Sequence, residues 1–123
     1  MKILLLALGG ATGTLLRYFM AELTYKVTSG IFPWGTVAVN LIGSLIIGLL
    51  WGILDIDHLS PHVKNLVFIG ILGSFTTFST YSLDTMNLIR MGEIKSAVAY
   101  VLISNIFGIG MAVVGFLIGR QAA

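Results

Sequence analysis

Apolar residues dominate four long stretches of the chain, and charged residues stand between and beside them. The stretches without Lys, Arg, Asp or Glu cover residues 3–16, 27–54, 65–83 and 96–119. The last three are long enough to cross a hydrocarbon core of about 30 Å at about 1.5 Å per helical residue. The first is extended by Arg17 and ends near Glu22, where Tyr18 and Tyr25 are typical of an interfacial aromatic belt. The pattern predicts an all-α membrane protein with spans at about residues 3–25, 33–54, 64–89 and 95–119.

Composition agrees with lipid as the main solvent. The chain is 57% hydrophobic and 10% charged, with a mean hydropathy of +1.00, whereas soluble domains carry about 25% charged residues. Its 123 residues have room for one transmembrane domain, residues 1–123. The basic residues are scattered, which argues against a nucleic-acid partner, and the lack of cysteine excludes thiolate metal sites. Lys2 and the following apolar run resemble a signal peptide, but three further spans follow, so we interpret this segment as the first span.

The basic residues predict an unusual membrane topology. With four spans, both termini lie on one side together with Lys2, Lys64 and Arg120, while Lys26, Arg90 and Lys95 lie on the other. This balance gives no positive-inside bias. We therefore expect the chain to insert in both orientations and to pair as an antiparallel dual-topology homodimer. The alternative is an orientation set by Arg17 or by subtler signals.

The third span carries an unusual density of hydroxyl groups in mid-membrane. Six serine and threonine residues fall within nine positions: Ser74, Thr76, Thr77, Ser79, Thr80 and Ser82. Gly73 precedes them, and such side chains compete for backbone hydrogen bonds. We expect a break in the third helix here, with freed carbonyl groups suited to a cation, as in discontinuous transporter helices. The alternative is a helix-packing face, because small and hydroxyl residues join membrane helices.

Aromatic residues alternate with these hydroxyls. Phe75, Phe78 and Tyr81 recur every three residues, which predicts one stripe along the helix. Aromatic ring edges are electropositive, so the stripe and the hydroxyls together offer favourable contacts to an anion.

Polar residues on the second and fourth spans complete a candidate polar wall. Asn40 lies inside the second span, where an amide is costly without a partner, so it either forms an interhelical hydrogen bond or presents its NH₂ group to an anion. Tyr100, Ser104 and Gly108 share one face of the fourth span, with Asn105 beside them.

Other features receive plainer interpretations. Arg17 lies within the first span, where it snorkels to the interface, pairs with Glu22 or Asp84, or attracts anions into a vestibule. Three Gly-x-x-x-Gly pairs, which begin at residues 9, 48 and 115, are interpreted as helix contacts rather than sites. There is no catalytic Ser/His/Asp set and no buried carboxylate pair in the pattern, so we do not expect an enzyme.

Three motifs together resemble the Fluc (CrcB) family of bacterial fluoride channels. They stand in order on the first three spans: Gly9-Gly10-x-x-Gly13-x-x-x-Arg17-Tyr18, Gly35-Thr36-x-x-x-Asn40-x-x-Gly43 and Gly73-Ser74-Phe75-Thr76-Thr77-Phe78-Ser79-Thr80. The resemblance covers nearly the whole chain. It implies an antiparallel homodimer in the bacterial cytoplasmic (inner) membrane that passes fluoride passively, excludes chloride, confers fluoride resistance and needs no organic cofactor.

The resemblance also implies roles for individual residues. A structural sodium ion at the dimer centre would be held by backbone carbonyls of Gly73 and Thr76. The remaining positions would form the fluoride pore or its entrance: Asn40 as the pore amide, Phe78 and Tyr81 as the aromatic box, Thr77, Ser79 and Thr80 as the hydroxyl track, Tyr100 and Ser104 on the fourth helix, and Arg17 and Asp84 as vestibule or structural charges. Tyr81 departs from the family's usual phenylalanine, and Asp84 is shorter than the expected glutamate.

Two other functions remain open at this point. A small dual-topology proton-coupled exporter of organic cations needs a deep acidic residue in the first span, and only Glu22 is a candidate. A non-transporting assembly subunit would use the hydroxyl groups only for helix packing.

Overall fold

The computed structural model describes all residues, Met1–Ala123, as a bundle of helices joined by short loops. Helix α1 is Lys2–Val27 and helix α2 is Trp34–Ile53. The third span, Pro61–Arg90, consists of two helical parts on either side of Thr76 and Thr77. Helix α5, Ile94–Ala122, completes the bundle. Four helical segments are long and apolar enough to cross a membrane, so this is a multi-pass membrane protein.

The first part of the third span, which we name α3, is not a regular α-helix. It consists of an α-helical turn at Pro61–Val63, a wide π-helical segment at Lys64–Leu72 and a final turn at Gly73–Phe75. The Ser60 side chain caps its start by accepting a hydrogen bond from the Val63 N–H. The second part, α4, is the α-helix Phe78–Arg90. π-helical segments are rare and are often found at functional sites. The residues packed around α3 are therefore candidates for a functional site.

Glycine residues bring the helices together along two seams. Helix α2 packs most extensively on α5, where a side chain at Gly48 would collide with the Ala112 carbonyl oxygen. Helix α1 packs on α3, where Gly9 and Gly70 face each other so closely that a Cβ on Gly9 would stand 2.9 Å from the Gly70 Cα. The interpretation of the Gly-x-x-x-Gly pairs as helix contacts is therefore confirmed.

The buried core is small and lies near one end of the bundle. Its members are Val37, Leu88, Ala97 and Tyr100, with Phe32, Leu41, Tyr81 and Ile103 packed around them. Most large apolar side chains elsewhere point outward, as expected for a chain whose surroundings are lipid or another subunit.

Candidate functional site

Two residues between α3 and α4 leave the helical conformation in the middle of the third span. Thr76 has φ −82° and ψ 160°, and Thr77 has φ −149° and ψ 119°, which are extended angles. Helix α4 restarts immediately, because the Thr77 side chain accepts a hydrogen bond from the Thr80 N–H at 3.1 Å as an N-cap. The chain thus places unpaired backbone groups at mid-membrane depth, where they need partners.

Asn40 of α2 supplies two of those partners. Its side-chain oxygen accepts a hydrogen bond from the Thr77 N–H at 2.8 Å, and its NH₂ group donates to the Thr77 carbonyl oxygen at 3.0 Å. The amide therefore clamps the extended backbone of α3–α4 against α2. An amide NH₂ carries two hydrogens, so this clamp leaves one for a further acceptor.

Gly43 lies one turn after Asn40 and lets the extended segment approach α2. A Cβ on Gly43 would collide with the Thr76 methyl group. The spacing Asn40-x-x-Gly43 therefore combines a polar clamp with the clearance that it needs.

A polar cavity of about 340 Å³ opens beside the clamp. Its walls come from α2, α3, α4 and α5. Thirteen residues line it: Asn40, Gly43, Ser44, Ile47, Phe68, Leu72, Gly73, Thr76, Thr77, Phe78, Tyr81, Ser104 and Asn105. None of them carries a charge, and most of the polar ones bear hydroxyl or amide groups.

The aromatic residues do not form one stripe. Phe78 and Tyr81 line the polar cavity with ring centroids 5.6 Å apart, whereas Phe75 is buried and lines a separate apolar cavity against α1 and α2. The prediction of a common stripe was wrong because the extended residues Thr76 and Thr77 reset the helical register between Phe75 and Phe78. Phe78 is 79% exposed in the single chain.

The hydroxyl groups after the break lie along the start of α4. The Thr77 and Ser79 hydroxyl oxygens are 3.5 Å apart. Ser79 and Thr80 are exposed and do not line the cavity of the single chain, whereas Thr77 is buried at its edge. Of the fourth-span candidates, Ser104 lines the cavity and Tyr100 does not.

Tyr100 lies instead in a partly buried network with Asp84. Its ring is 0% exposed, and its hydroxyl donates to an Asp84 carboxylate oxygen at 3.0 Å. The Thr36 hydroxyl donates to the same oxygen at 2.7 Å. Asp84 is therefore held by two neutral hydroxyls from α2 and α5, which satisfy a carboxylate that would be costly to bury alone.

Arg17 does not take part in this network. It is half-buried on α1, and no lysine or arginine side chain in the structure pairs with a carboxylate. The one contact between a basic and an acidic side chain is the 2.8 Å hydrogen bond between His58 and Asp55 in the loop before α3. Pairing of Arg17 with Glu22 or Asp84, one of the alternatives, is therefore absent within the single chain. Glu22 is exposed on α1, away from the polar cavity.

Backbone carbonyls at the end of α3 are available to a cation. The last carbonyls of a helix lack intrahelical partners, and no backbone hydrogen bond outside the regular helices ends on the carbonyl oxygen of Gly73 or Thr76. Both residues line the polar cavity. Neutral carbonyl oxygens suit a hard monovalent cation, so these residues fit the sodium ion that the resemblance implies.

Several features of the cavity were not among the predicted site residues. Ser44, Asn105 and Phe68 line it. Asn105 stood beside the predicted polar face and could have been included on that ground. Phe68 lies in the π-helical segment, and no local sequence signal distinguishes it from the other apolar residues of that span.

Comparison with known proteins shows relatives over nearly the full length. The chain is 40% identical over 120 residues to a protein of Parabacteroides distasonis, with 98% of this chain and 94% of the relative covered. It is 42% identical over 121 residues to one of Magnetococcus marinus, with 98% of each covered. It is 39% identical over 117 residues to one of Aquifex aeolicus, with 94% of each covered. Each of these relatives is named "Fluoride-specific ion channel FluC".

The family comparison agrees with these relatives and with the motifs around the clamp. Residues 4–116 match the family described as CrcB-like protein, Camphor Resistance (CrcB), and the chain therefore belongs to the CrcB family.

Proposed function

We propose that the protein is a fluoride-selective ion channel that lets fluoride leave the cytoplasm passively. The observation that carries this function is the clamp between Asn40 and the extended residue Thr77, beside a polar cavity without charged residues. The relatives' shared name, a fluoride-specific ion channel, supports the same conclusion. The cavity supplies hydroxyl and amide groups that can replace the water around a small anion.

Fluoride is small and strongly hydrated, so a selective path must replace its water with close donors. The clamp leaves one Asn40 N–H free, the cavity adds hydroxyl groups such as Ser104, and the Phe78 ring offers an electropositive edge. A cationic side chain in direct contact with the ion would bind it too tightly for exit. Neutral donors stabilise it enough for entry and weakly enough for release.

The proposed working unit is an antiparallel homodimer in the bacterial cytoplasmic membrane. A single chain would leave the polar cavity open and Phe78 79% exposed, and lipid-exposed polar groups are costly. A second copy in the opposite orientation would cover these groups. The balanced distribution of basic residues is compatible with insertion in both directions.

We further propose that a sodium ion is held by the carbonyl oxygens of Gly73 and Thr76 at the centre of the dimer. The ion would supply a fixed positive charge that neutralises converging carbonyl dipoles. The availability of these carbonyls at the end of α3 supports the assignment.

The remaining candidates receive roles according to their positions. Thr77, Ser79 and Thr80 follow one another at the start of α4 and form the proposed hydroxyl track. For Tyr100, the hydrogen bond to Asp84 supports a structural role in orienting that carboxylate. For Arg17, the lack of an ion pair within the single chain is compatible with the proposed role in attracting anions into a vestibule.

Efflux from liposomes tests the function and the site together. Purified protein is reconstituted, and fluoride release is recorded with a fluoride electrode for the wild type and for Asn40→Ala and Phe78→Ile. We expect fluoride efflux from the wild type and a fall of at least about tenfold in both variants, since each removes a contact worth about 1.4 kcal/mol or more.

Matched controls separate a pore effect from a general one. Asn65→Ala and Phe107→Ile make the same chemical changes at residues that do not line the polar cavity, and they should keep wild-type efflux. Size-exclusion profiles should remain unchanged in all four variants. Wild-type efflux from both Asn40→Ala and Phe78→Ile would refute the pore assignment, and drug-dependent proton release would favour a proton-coupled exporter.

A further inference from the structure

Tyr81 and Asn105 form a hydrogen-bonded pair between α4 and α5. The Asn105 side-chain nitrogen lies 2.8 Å from the Tyr81 hydroxyl oxygen and 2.8 Å from the Val101 carbonyl oxygen. Both side chains line the polar cavity. The family resemblance implies a place for the Tyr81 ring in the aromatic box, but no role has been given to Asn105.

The Val101 carbonyl fixes which end of the Asn105 amide faces Tyr81. A carbonyl oxygen can only accept, so the Asn105 group beside the Val101 carbonyl must be the NH₂ group. The nitrogen of this group can donate hydrogen bonds but cannot accept one. Its two hydrogens are therefore used by Val101 and by Tyr81. The Tyr81 hydroxyl is consequently an acceptor in this pair, and its own hydrogen has no partner in the structure.

We propose that Asn105 is a positioning residue that fixes the Tyr81 hydroxyl as a hydrogen-bond donor to fluoride in the cavity. This inference rests on the proposed fluoride channel and deepens it. By occupying one lone-pair direction of the phenolic oxygen, Asn105 restricts the directions in which the O–H hydrogen can point. A neutral hydroxyl that donates to an anion forms a stronger bond than one that donates to a neutral acceptor.

The Tyr81 ring is held independently of Asn105. Its centroid lies 5.6 Å from that of Phe78 and 5.4 Å from that of Tyr100. Asn105 itself is exposed in the single chain. Removal of the Asn105 amide should therefore free the hydroxyl while the ring stays in place.

A double-mutant cycle tests the proposal. Fluoride efflux from liposomes is measured for the wild type, Tyr81→Phe, Asn105→Leu and the double variant. We expect each single variant to lower the efflux rate about tenfold, as for a lost hydrogen bond to a charged group. We expect the double variant to conduct like Tyr81→Phe alone, because Asn105 acts only through the hydroxyl that this variant lacks.

Matched variants away from the cavity provide the controls. Tyr18→Phe and Asn65→Leu remove the same groups from residues that do not line it and should keep wild-type efflux. If Asn105→Leu does not elute as the native particle, Asn105→Ala takes its place in the cycle.

Three results would overturn the inference, and they are distinguishable. Absence of fluoride efflux from the wild type refutes the proposed function together with the inference. Efflux from the wild type with no loss in Asn105→Leu refutes the inference alone. Losses that multiply in the double variant also refute it alone, because they show that Asn105 acts independently of the Tyr81 hydroxyl.

Discussion

Single polar side chains hold the backbone of this protein where lipid offers no partners. Asn40 satisfies both backbone groups of Thr77, and Thr36 and Tyr100 both donate to Asp84. The sequence shows that a buried amide needs a partner, but it does not show which one. Thr77 can bond to Asn40 twice only because its backbone is extended. Tyr100 lies in the core, where its hydroxyl donates to Asp84.

Asn40→Asp separates the donor role of the amide from its shape. A carboxylate at this position can still accept from the Thr77 N–H, but it faces the Thr77 carbonyl oxygen with a second acceptor. It also places a negative charge beside the proposed anion path. We expect fluoride efflux to fall about a hundredfold, because like-charge juxtaposition costs several kcal/mol.

The same substitution at a residue outside the cavity, Asn65→Asp, should leave efflux within about twofold of wild type, since it places no charge beside the cavity. Efflux from Asn40→Asp above half the wild-type rate would show that the amide NH₂ is not a required donor.

Thr36→Val tests the partly buried network around Asp84. Valine keeps the shape of threonine but removes the hydroxyl that donates at 2.7 Å to the carboxylate. We expect a loss of about 1 kcal/mol or more in the free energy of unfolding, measured by thermal unfolding in detergent. Thr12→Val is the control, because its exposed hydroxyl bonds only to the Leu8 carbonyl of its own helix. Equal stability of the two variants would contradict the assigned role.

At the scale of helices, the distribution of apolar and charged residues predicts the number of spans better than it predicts the backbone conformation within each span. The apolar stretches and their charged borders indicate four membrane-spanning segments, and the structure has four helical segments long and apolar enough to cross a membrane. The Gly-x-x-x-Gly pairs indicate where helices approach. The π-helical segment Lys64–Leu72 has no comparable signature, because its apolar residues would suit a regular α-helix equally well. The extended residues Thr76 and Thr77 also change the helical register. Helical spacing therefore does not predict which way Phe75 points relative to Phe78.

Gly48→Ala tests the close approach of α2 and α5. The added methyl group would collide with the Ala112 carbonyl oxygen, and because this is backbone, the helices must separate. We expect a loss of about 1–3 kcal/mol in the free energy of unfolding, as for other overpacked sites. The matched variant is Gly110→Ala on α5, where a methyl group meets no atom within 4 Å. Gly110→Ala should be neutral or slightly stabilising, and an equal loss in both would contradict the seam.

The whole molecule leaves its polar cavity open on one side. The cavity takes residues from α2, α3, α4 and α5, so it depends on long-range packing that local patterns do not reveal. The sequence identifies most of its polar members in advance, among them Asn40, Thr77 and Ser104, because their polarity is unusual in a membrane span. In the proposed antiparallel dimer, the second subunit covers the open side of the cavity.

The absence of cysteine makes the orientation directly measurable. A single cysteine at Ser29, in the loop between α1 and α2, is compared in cells with one at Ser60, in the loop before α3. Since Lys and Arg are balanced between the two sides, we expect a membrane-impermeant thiol reagent to label about half of each variant. Complete labelling of one and none of the other would show a single orientation and refute dual topology.

Selective fluoride conduction is tested most directly by release of fluoride and chloride from the same liposomes. Vesicles loaded with both anions, with valinomycin to carry potassium as the counter-ion, are monitored with one electrode for each halide. The neutral donor cavity beside the Asn40 clamp predicts rapid release of fluoride while chloride is retained. Chloride release as fast as that of fluoride, or no release of either anion, would contradict it.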